Sequence, residues 1–167
     1  LSIRRQRQMC IRDSIYGTHA TAEHEIVSPG SGVPIVVEGG NQNAKTIEYA
    51  GGSEAFIAWA DFREGANADI YGQRLNTQME VLFQENGIPI AATDEQELKP
   101  RATFVQGNTS FITWKEGDEN SRVFYQHVDQ DGLVFDTKRP ISDNDALQTA
   151  PRVKRGSSGD VCVNWKD

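Results

Sequence analysis

The sequence predicts an all-β chain made of about three four-stranded antiparallel units that repeat every 51–55 residues. Three observations predict it. Pro34, Pro89 and Pro140 are each followed by Ile, and twenty-five residues after each comes a Trp: Trp59, Trp114 and Trp165. Short strand-like runs alternate with Gly, Asn and Asp turn signals. No window of ten or more residues keeps a helical apolar period.

Further landmarks hold the same register. Eleven residues after the second and third repeat prolines stand Pro100-Arg101 and Pro151-Arg152, where the first unit has Lys45-Thr46. Phe56-Ile57-Ala58-Trp59 aligns with Phe111-Ile112-Thr113-Trp114 and Cys162-Val163-Asn164-Trp165. Ile70-Tyr71-Gly72 aligns with Ile15-Tyr16-Gly17, fifty-five residues earlier, and with Val123-Phe124-Tyr125. Counted from these marks, the units span 15–69, 70–122 and a shorter 123–167. Such self-similarity marks a repeat architecture.

Four strands are expected per unit, in order. The first lies near Lys45–Tyr49, Arg101–Val105 or Arg152–Arg155. The second is Ala55–Ala60, Ser110–Trp114 or Asp160–Trp165. The third is Asp69–Asn76 or Arg122–Asp129, and the fourth Glu80–Phe83 or Leu133–Phe135. Turns are expected at Gly51-Gly52, Gln106-Gly107-Asn108, Glu64–Asn67, Glu116-Gly117-Asp118, Asn86-Gly87 and Asp131-Gly132. Pro100 and Pro151 read as strand starts, where a missing N–H is tolerated. Tyr71 and Leu75 alternate with Gln73, Arg74 and Asn76 as on a half-buried strand. The recurring Trp reads as the packing residue between units, with a large apolar area and one N–H to satisfy.

Four strands in fifty-odd residues is the arithmetic of a β-propeller blade. The expectation is a fragment of a β-propeller, two full blades and most of a third. A β-solenoid is the alternative, although its coils are usually shorter. An isolated fragment would expose apolar faces at both ends.

Composition narrows the partners. The chain carries seventeen Lys and Arg against twenty-four Asp and Glu. The first fourteen residues, LSIRRQRQMCIRDS, are similar to the translation of a sequencing-library index followed by a transposase adapter. They are set aside as a non-native leader, 1–14, and the remainder is expected to be a piece of a longer protein. Removing Arg4, Arg5, Arg7, Arg12 and Asp13 leaves thirteen basic and twenty-three acidic residues. That balance argues against nucleic acid, which needs clustered Lys and Arg, and against an anionic membrane surface. No apolar run approaches the roughly 20 residues of a membrane helix. Cys10 leaves with the leader, and Cys162 reads as a small apolar strand residue.

The stretch from Ala58 to Gly65 (AWADFREG), followed by Asp69 to Asn76 (DIYGQRLN) and Asn86-Gly87-Ile88-Pro89, resembles a known repeat. It is similar to the AWxDxRxGxxDIYAQRLD units of bacterial secreted proteins. The resemblance covers nearly all of 15–167. It weakens in the second unit, where Lys115-Glu116-Gly117 replaces the Asp-x-Arg and His127 replaces Arg74. It implies propeller blades in an extracellular or cell-surface protein and no single activity, since fold does not imply function.

Candidate chemistry is sparse. Asp61, Arg63 and Asp69 flank one hairpin and read as a salt-bridged turn, with Asp61 and Asp69 as weak metal candidates. Glu116–Asn120 is acidic but lacks the spacing of a calcium loop, and reads as a solvated turn. His19, His24 and His127 show no metal-ligand spacing, and His127 reads as a surface strand residue. No nucleophile motif such as G-x-S-x-G appears, and neither Ser142–Asp145 nor Ser157–Asp160 completes a sialidase-type Asp box. No catalytic residue and no cofactor is assigned.

The expectation is therefore a non-enzymatic secreted or surface repeat region, a scaffold or a binding module for a glycan or protein ligand carried on inter-strand loops. The missing blades of the same chain are its other expected partners. The alternatives are part of a propeller-fold glycoside hydrolase or lyase, which would need paired carboxylates, and a passive accessory domain of a secreted enzyme.

Overall fold

The computed structural model describes residues 14–27, 29–49, 54–105 and 108–167. The leader through residue 13, the Gly51-Gly52 turn and the Gln106-Gly107 turn lie outside the described residues. The chain forms twelve strands, all antiparallel to their neighbours, and no helix among the described residues. They are β1 (Ser14–Gly17), β2 (Val33–Val37), β3 (Gln42–Tyr49), β4 (Glu54–Asp61), β5 (Asp69–Asn76), β6 (Ile88–Ala91), β7 (Glu97–Phe104), β8 (Ser110–Glu116), β9 (Arg122–Val128), β10 (Val134–Pro140), β11 (Thr149–Arg155) and β12 (Val161–Lys166).

These strands make two complete four-stranded sheets, β3-β4-β5-β6 and β7-β8-β9-β10, flanked by two half sheets, β1-β2 and β11-β12. The repeat fixes a period but not a phase. The sheets occupy 42–91 and 97–140, so the 69/70 division of the sequence period falls inside β5.

The repeat recurs in the hydrogen-bond register. Tyr16 pairs with Pro34, Tyr71 with Pro89 and Phe124 with Pro140. Each sheet therefore closes on a last strand that carries the repeat proline. That strand is a sheet edge, where an absent N–H removes no ladder bond. The fourth strand is accordingly Ile88–Ala91, not the expected Glu80–Phe83. The Val81-Leu82-Phe83 run mimics a strand, but it is a loop that folds Phe83 over Phe56, edge to face at 6.4 Å. In the next sheet the fourth strand starts near the expected position but continues to Pro140.

Pro100 and Pro151 also sit differently from expectation. They lie inside β7 and β11, at register shifts between Leu98 and Arg101 and between Thr149 and Arg152. A third shift falls between Asn43 and Thr46 in β3. Lys99 (φ 57°) and Ala150 (φ 50°) turn left-handed just before the prolines. A bulge is the interior position that tolerates a proline, because its extra residue is already out of the ladder.

The sheets stack face to face. On β4, Phe56, Ala58 and Ala60 point toward the second sheet and join Ala102, Phe104, Ile112 and Trp114 in one apolar cluster. Ile57 and Trp59, on the opposite face, meet Ile15, Ile35 and Val36 of the preceding half sheet. Covered on both faces, β5 is buried from Asp69 to Leu75, and the alternation read from its sequence disappears. Of the first strands, β7 lies against both β3 and β11, whereas β6 and β10 chiefly contact the strand beside them in their own sheet.

A backbone clamp joins consecutive sheets. Glu97 N–H donates to Ala68 C=O, and Gln148 N–H to Ser121 C=O, each at 2.8 Å. The side chains repeat the gesture: Ile70 N–H donates to Glu97 Oε2 at 3.4 Å and Val123 N–H to Gln148 Oε1 at 3.1 Å.

Candidate functional site

The charged residues singled out by the repeat converge at the ends of β4 and β8, on the side of the molecule carrying the β4–β5, β6–β7 and β8–β9 connections. Trp59 Nε1 donates to Asp61 Oδ2 at 2.7 Å, and the Arg63 backbone N–H donates to Asp61 Oδ1 at 2.9 Å. Arg63 Nη2 bonds Asp61 Oδ2 at 2.7 Å, and its guanidinium lies 4.0 Å from the centroid of the Tyr71 ring. Tyr71 in turn stacks on Trp59 at 6.2 Å. The four side chains form one closed stack of indole, carboxylate, guanidinium and phenol ring.

The second sheet builds the same stack with different residues. Trp114 Nε1 donates to Glu116 Oε2 at 3.4 Å, and Trp114 stacks on Phe124 at 6.4 Å. The cation is Lys138, whose Nζ is 2.5 Å from Glu116 Oε2 and 5.1 Å from the Phe124 ring centroid. At Trp165 the pattern begins again, with Nε1 donating to Asp167 Oδ1 at 3.0 Å. The second unit does lack the Asp and Arg, but the solvated-turn reading of Glu116 is corrected: Glu116 is a buried residue of β8, and Lys138 supplies the charge.

Lys138 stands two residues before Pro140, the place Gly87 holds before Pro89. Gly87 (φ +85°) packs against Trp59, where any Cβ would strike the indole ring. The first sheet thus leaves this position bare and brings its cation from Arg63, which also donates to Asn86 C=O at 2.9 Å. The second has Asp118 in the Arg63 position and brings its cation from the other strand.

Glu97 is the carboxylate that sequence reasoning missed. It is fully buried, accepts from Thr93 Oγ1 at 2.9 Å and has Lys138 Nζ at 4.0 Å. Burial, with Glu116 nearby, raises its pKa to about 7 against the lowering pull of Thr93 and Lys138. One repeat earlier and later the same position holds Gln42 and Gln148, both buried. That alignment is the signal that could have found it.

Asp61 and Asp69 are register partners across β4 and β5. Burial raises the Asp69 pKa, helped by Asp61 and Glu64 and opposed by Arg63. Asp61 is wholly engaged with Trp59 and Arg63, and no group of three or more His, Cys, Asp or Glu side chains that could hold a metal occurs among the described residues. His19 bonds Thr77 C=O through Nδ1 at 2.9 Å. His127 is half-buried, not a surface residue: its ring meets Phe111 edge to face at 5.0 Å, and burial, with Arg139 beside it, lowers its pKa. Arg74, which His127 replaces, is buried and ion-paired to Glu54. The loops carry open hollows, one lined by Glu64, Asp69 and Asp94, and another by Glu95, Asp118, Glu119 and Arg122 that reaches Glu116 and Phe124 of the second stack.

No protein-family model and no curated protein matches the chain. Among solved structures it is similar to the endo-arabinase of Bacteroides thetaiotaomicron, with 12% identity and a TM-score of 0.47 over 81% of this chain. The match spans 56% of that enzyme's length.

Proposed function

We propose that this region is a non-enzymatic, propeller-type scaffold of a secreted or cell-surface protein, with ligand contacts on the loops that join its sheets. The carrying observation is the stack built twice, Trp59/Asp61/Arg63/Tyr71 and Trp114/Glu116/Lys138/Phe124. The residues the repeat keeps are consumed by packing. Asp61 is wholly buried beneath its indole and cation partners, and Glu116 is held in place by Trp114 and Lys138 at the rim of an open hollow.

The side-by-side placement of β3, β7 and β11, with the last strands apart, supports sheets arranged around a common axis. Such a body offers its loops as the variable surface. The exposed acids there, Glu64, Asp94, Glu95, Asp118 and Glu119, suit a cationic or hydroxyl-rich ligand. The secreted location rests on the repeat resemblance.

The rival, a carboxylate-driven hydrolase, would draw on Glu97, the buried acid with a pKa near 7. Its inaccessibility and its replacement by Gln in both neighbouring repeats favour a clamp instead. The test is release of reducing sugar from a panel of plant and bacterial polysaccharides by the purified chain. The scaffold reading expects no release above background from the chain or from Glu97→Gln. Turnover that Glu97→Gln abolishes, with the fold retained by circular dichroism, would overturn it.

A further inference from the structure

The two complete sheets treat one position in opposite ways. In the second, Glu116 faces Arg122 across β8 and β9, so a carboxylate meets a cation. In the first, the same positions are Asp61 and Asp69, and two carboxylates face each other across β4 and β5. Like charges directly opposite on a sheet are destabilising. We propose that the first sheet takes from outside the cation that the second carries as Arg122: the hollow beside Asp69 binds a guanidinium group, presented by an exposed arginine of a partner protein.

Asp69 is a buried acid without a partner. It is 7% exposed, yet no hydrogen bond or ion pair among the described residues engages its carboxylate. Arg63, the cation that pulls on it, is spent on Asp61 Oδ2 at 2.7 Å and on Asn86 C=O at 2.9 Å. Burying an ionised carboxylate without a counter-ion is costly. The pKa of Asp69 rises accordingly, first through burial and then through Asp61 and Glu64. Its oxygens are not sealed from solvent. The residue lines an open hollow with Glu64, Asn67 and Asp94, where the β4–β5 and β6–β7 connections meet.

The second sheet supplies the template for the ligand. Arg122 Nη2 donates to Ser142 C=O at 2.7 Å, and Nη1 lies 3.7 Å from Asp145 Oδ1. Counted from the repeat prolines Pro89 and Pro140, Ser142 corresponds to Ala91 and Asp145 to Asp94. The first sheet therefore keeps the second carboxylate of that cradle, Asp94, and exchanges the guanidinium for Asp69. Carboxylate acceptors suit a guanidinium, whose planar fork of donors engages two oxygens at once. A metal ion is less well served, because no group of three carboxylates that could hold one occurs among the described residues. The inference deepens the function proposed above and rests on it only for the loops being a binding surface.

The test is a titration of the isotope-labelled full chain with N-acetyl-arginine amide at constant ionic strength, followed by NMR. Saturable shifts are expected at the backbone amides of Asp69 and Asp94, with a Kd on the order of 1 mM, as two charge-assisted hydrogen bonds would give. N-acetyl-citrulline amide, the uncharged isostere, is expected to leave these amides unmoved. Asp69→Asn is expected to weaken binding about tenfold or more. Asp69→Arg, which installs the second sheet's residue, is expected to abolish it, and circular dichroism reads the fold of both variants. No saturation by the arginine amide, equal shifts with the citrulline, or binding unchanged in Asp69→Asn overturns the site. Saturation of the same amides by calcium chloride but not by the arginine amide overturns the guanidinium assignment. Failure of the titration is distinct from failure of the scaffold reading, which sugar release decides.

Discussion

Glu97 shows how one buried side chain sets a pH dependence. Its carboxyl is raised from 4.5 to about 7 by burial and by Glu116. Between those values the folded protein keeps a proton that the unfolded chain has released, so stability falls as pH rises through this window. Glu97→Gln, which installs the residue found at positions 42 and 148, keeps the acceptor for Ile70 N–H and loses the titration. The variant is expected to unfold at higher temperature than the parent at pH 8, by up to about 3 kcal/mol, and to match it near pH 4.5. Thermal melts across pH 4–8 check this, and parallel curves for parent and variant would show that folding does not change the protonation of Glu97. Sequence reading passed over Glu97 because it sits among polar neighbours, Gln96 and Glu95, in what looks like a turn. It is met across the interface by the preceding sheet, at Ala68 and Ile70, which no local pattern reports.

At the scale of an element, the hairpin between β4 and β5 depends on what the Asn86-Gly87 turn leaves out. Gly87 is left-handed and lies against both Trp59 and Gly72 O, the latter 2.9 Å from a built Cβ. Gly87→Ala is expected to destabilise by more than 1 kcal/mol, since the conformation is strained for any L side chain and the indole must move. Urea unfolding measures it, and a loss below 0.5 kcal/mol, the usual range of surface changes, would contradict the packing described. The period of this architecture was legible because Trp and the repeat prolines are rare, bulky landmarks. The phase was not, since a periodic sequence does not say where one sheet ends. The fourth strand was misplaced because Val81-Leu82-Phe83 has the composition of a strand while Ile88-Pro89-Ile90 carries a proline, and only the edge position of β6 makes that proline harmless. The cation of the second stack was hidden for a related reason: Lys138 is twenty-two residues from Glu116 and reaches it only through the β9–β10 pairing.

Across the whole molecule, the two complete sheets meet through an apolar face and a backbone clamp, and each carries one closed stack of Trp, carboxylate, cation and ring. If the stack is what the repeat encodes, its two versions are interchangeable. The direct test is a graft measured as a double-mutant cycle. Lys138→Gly removes the second sheet's cation and leaves Glu116 and Glu97 without it. Asp118→Arg places an arginine where the first sheet has Arg63. Lys138 is partly exposed, so the single loss is expected to cost about 2 kcal/mol, below the 3–5 typical of a fully buried pair. The double variant is expected to recover at least half of that, a coupling of about 1 kcal/mol by urea unfolding. Additive losses, with no recovery from Asp118→Arg, would mean that the two stacks are not versions of one device.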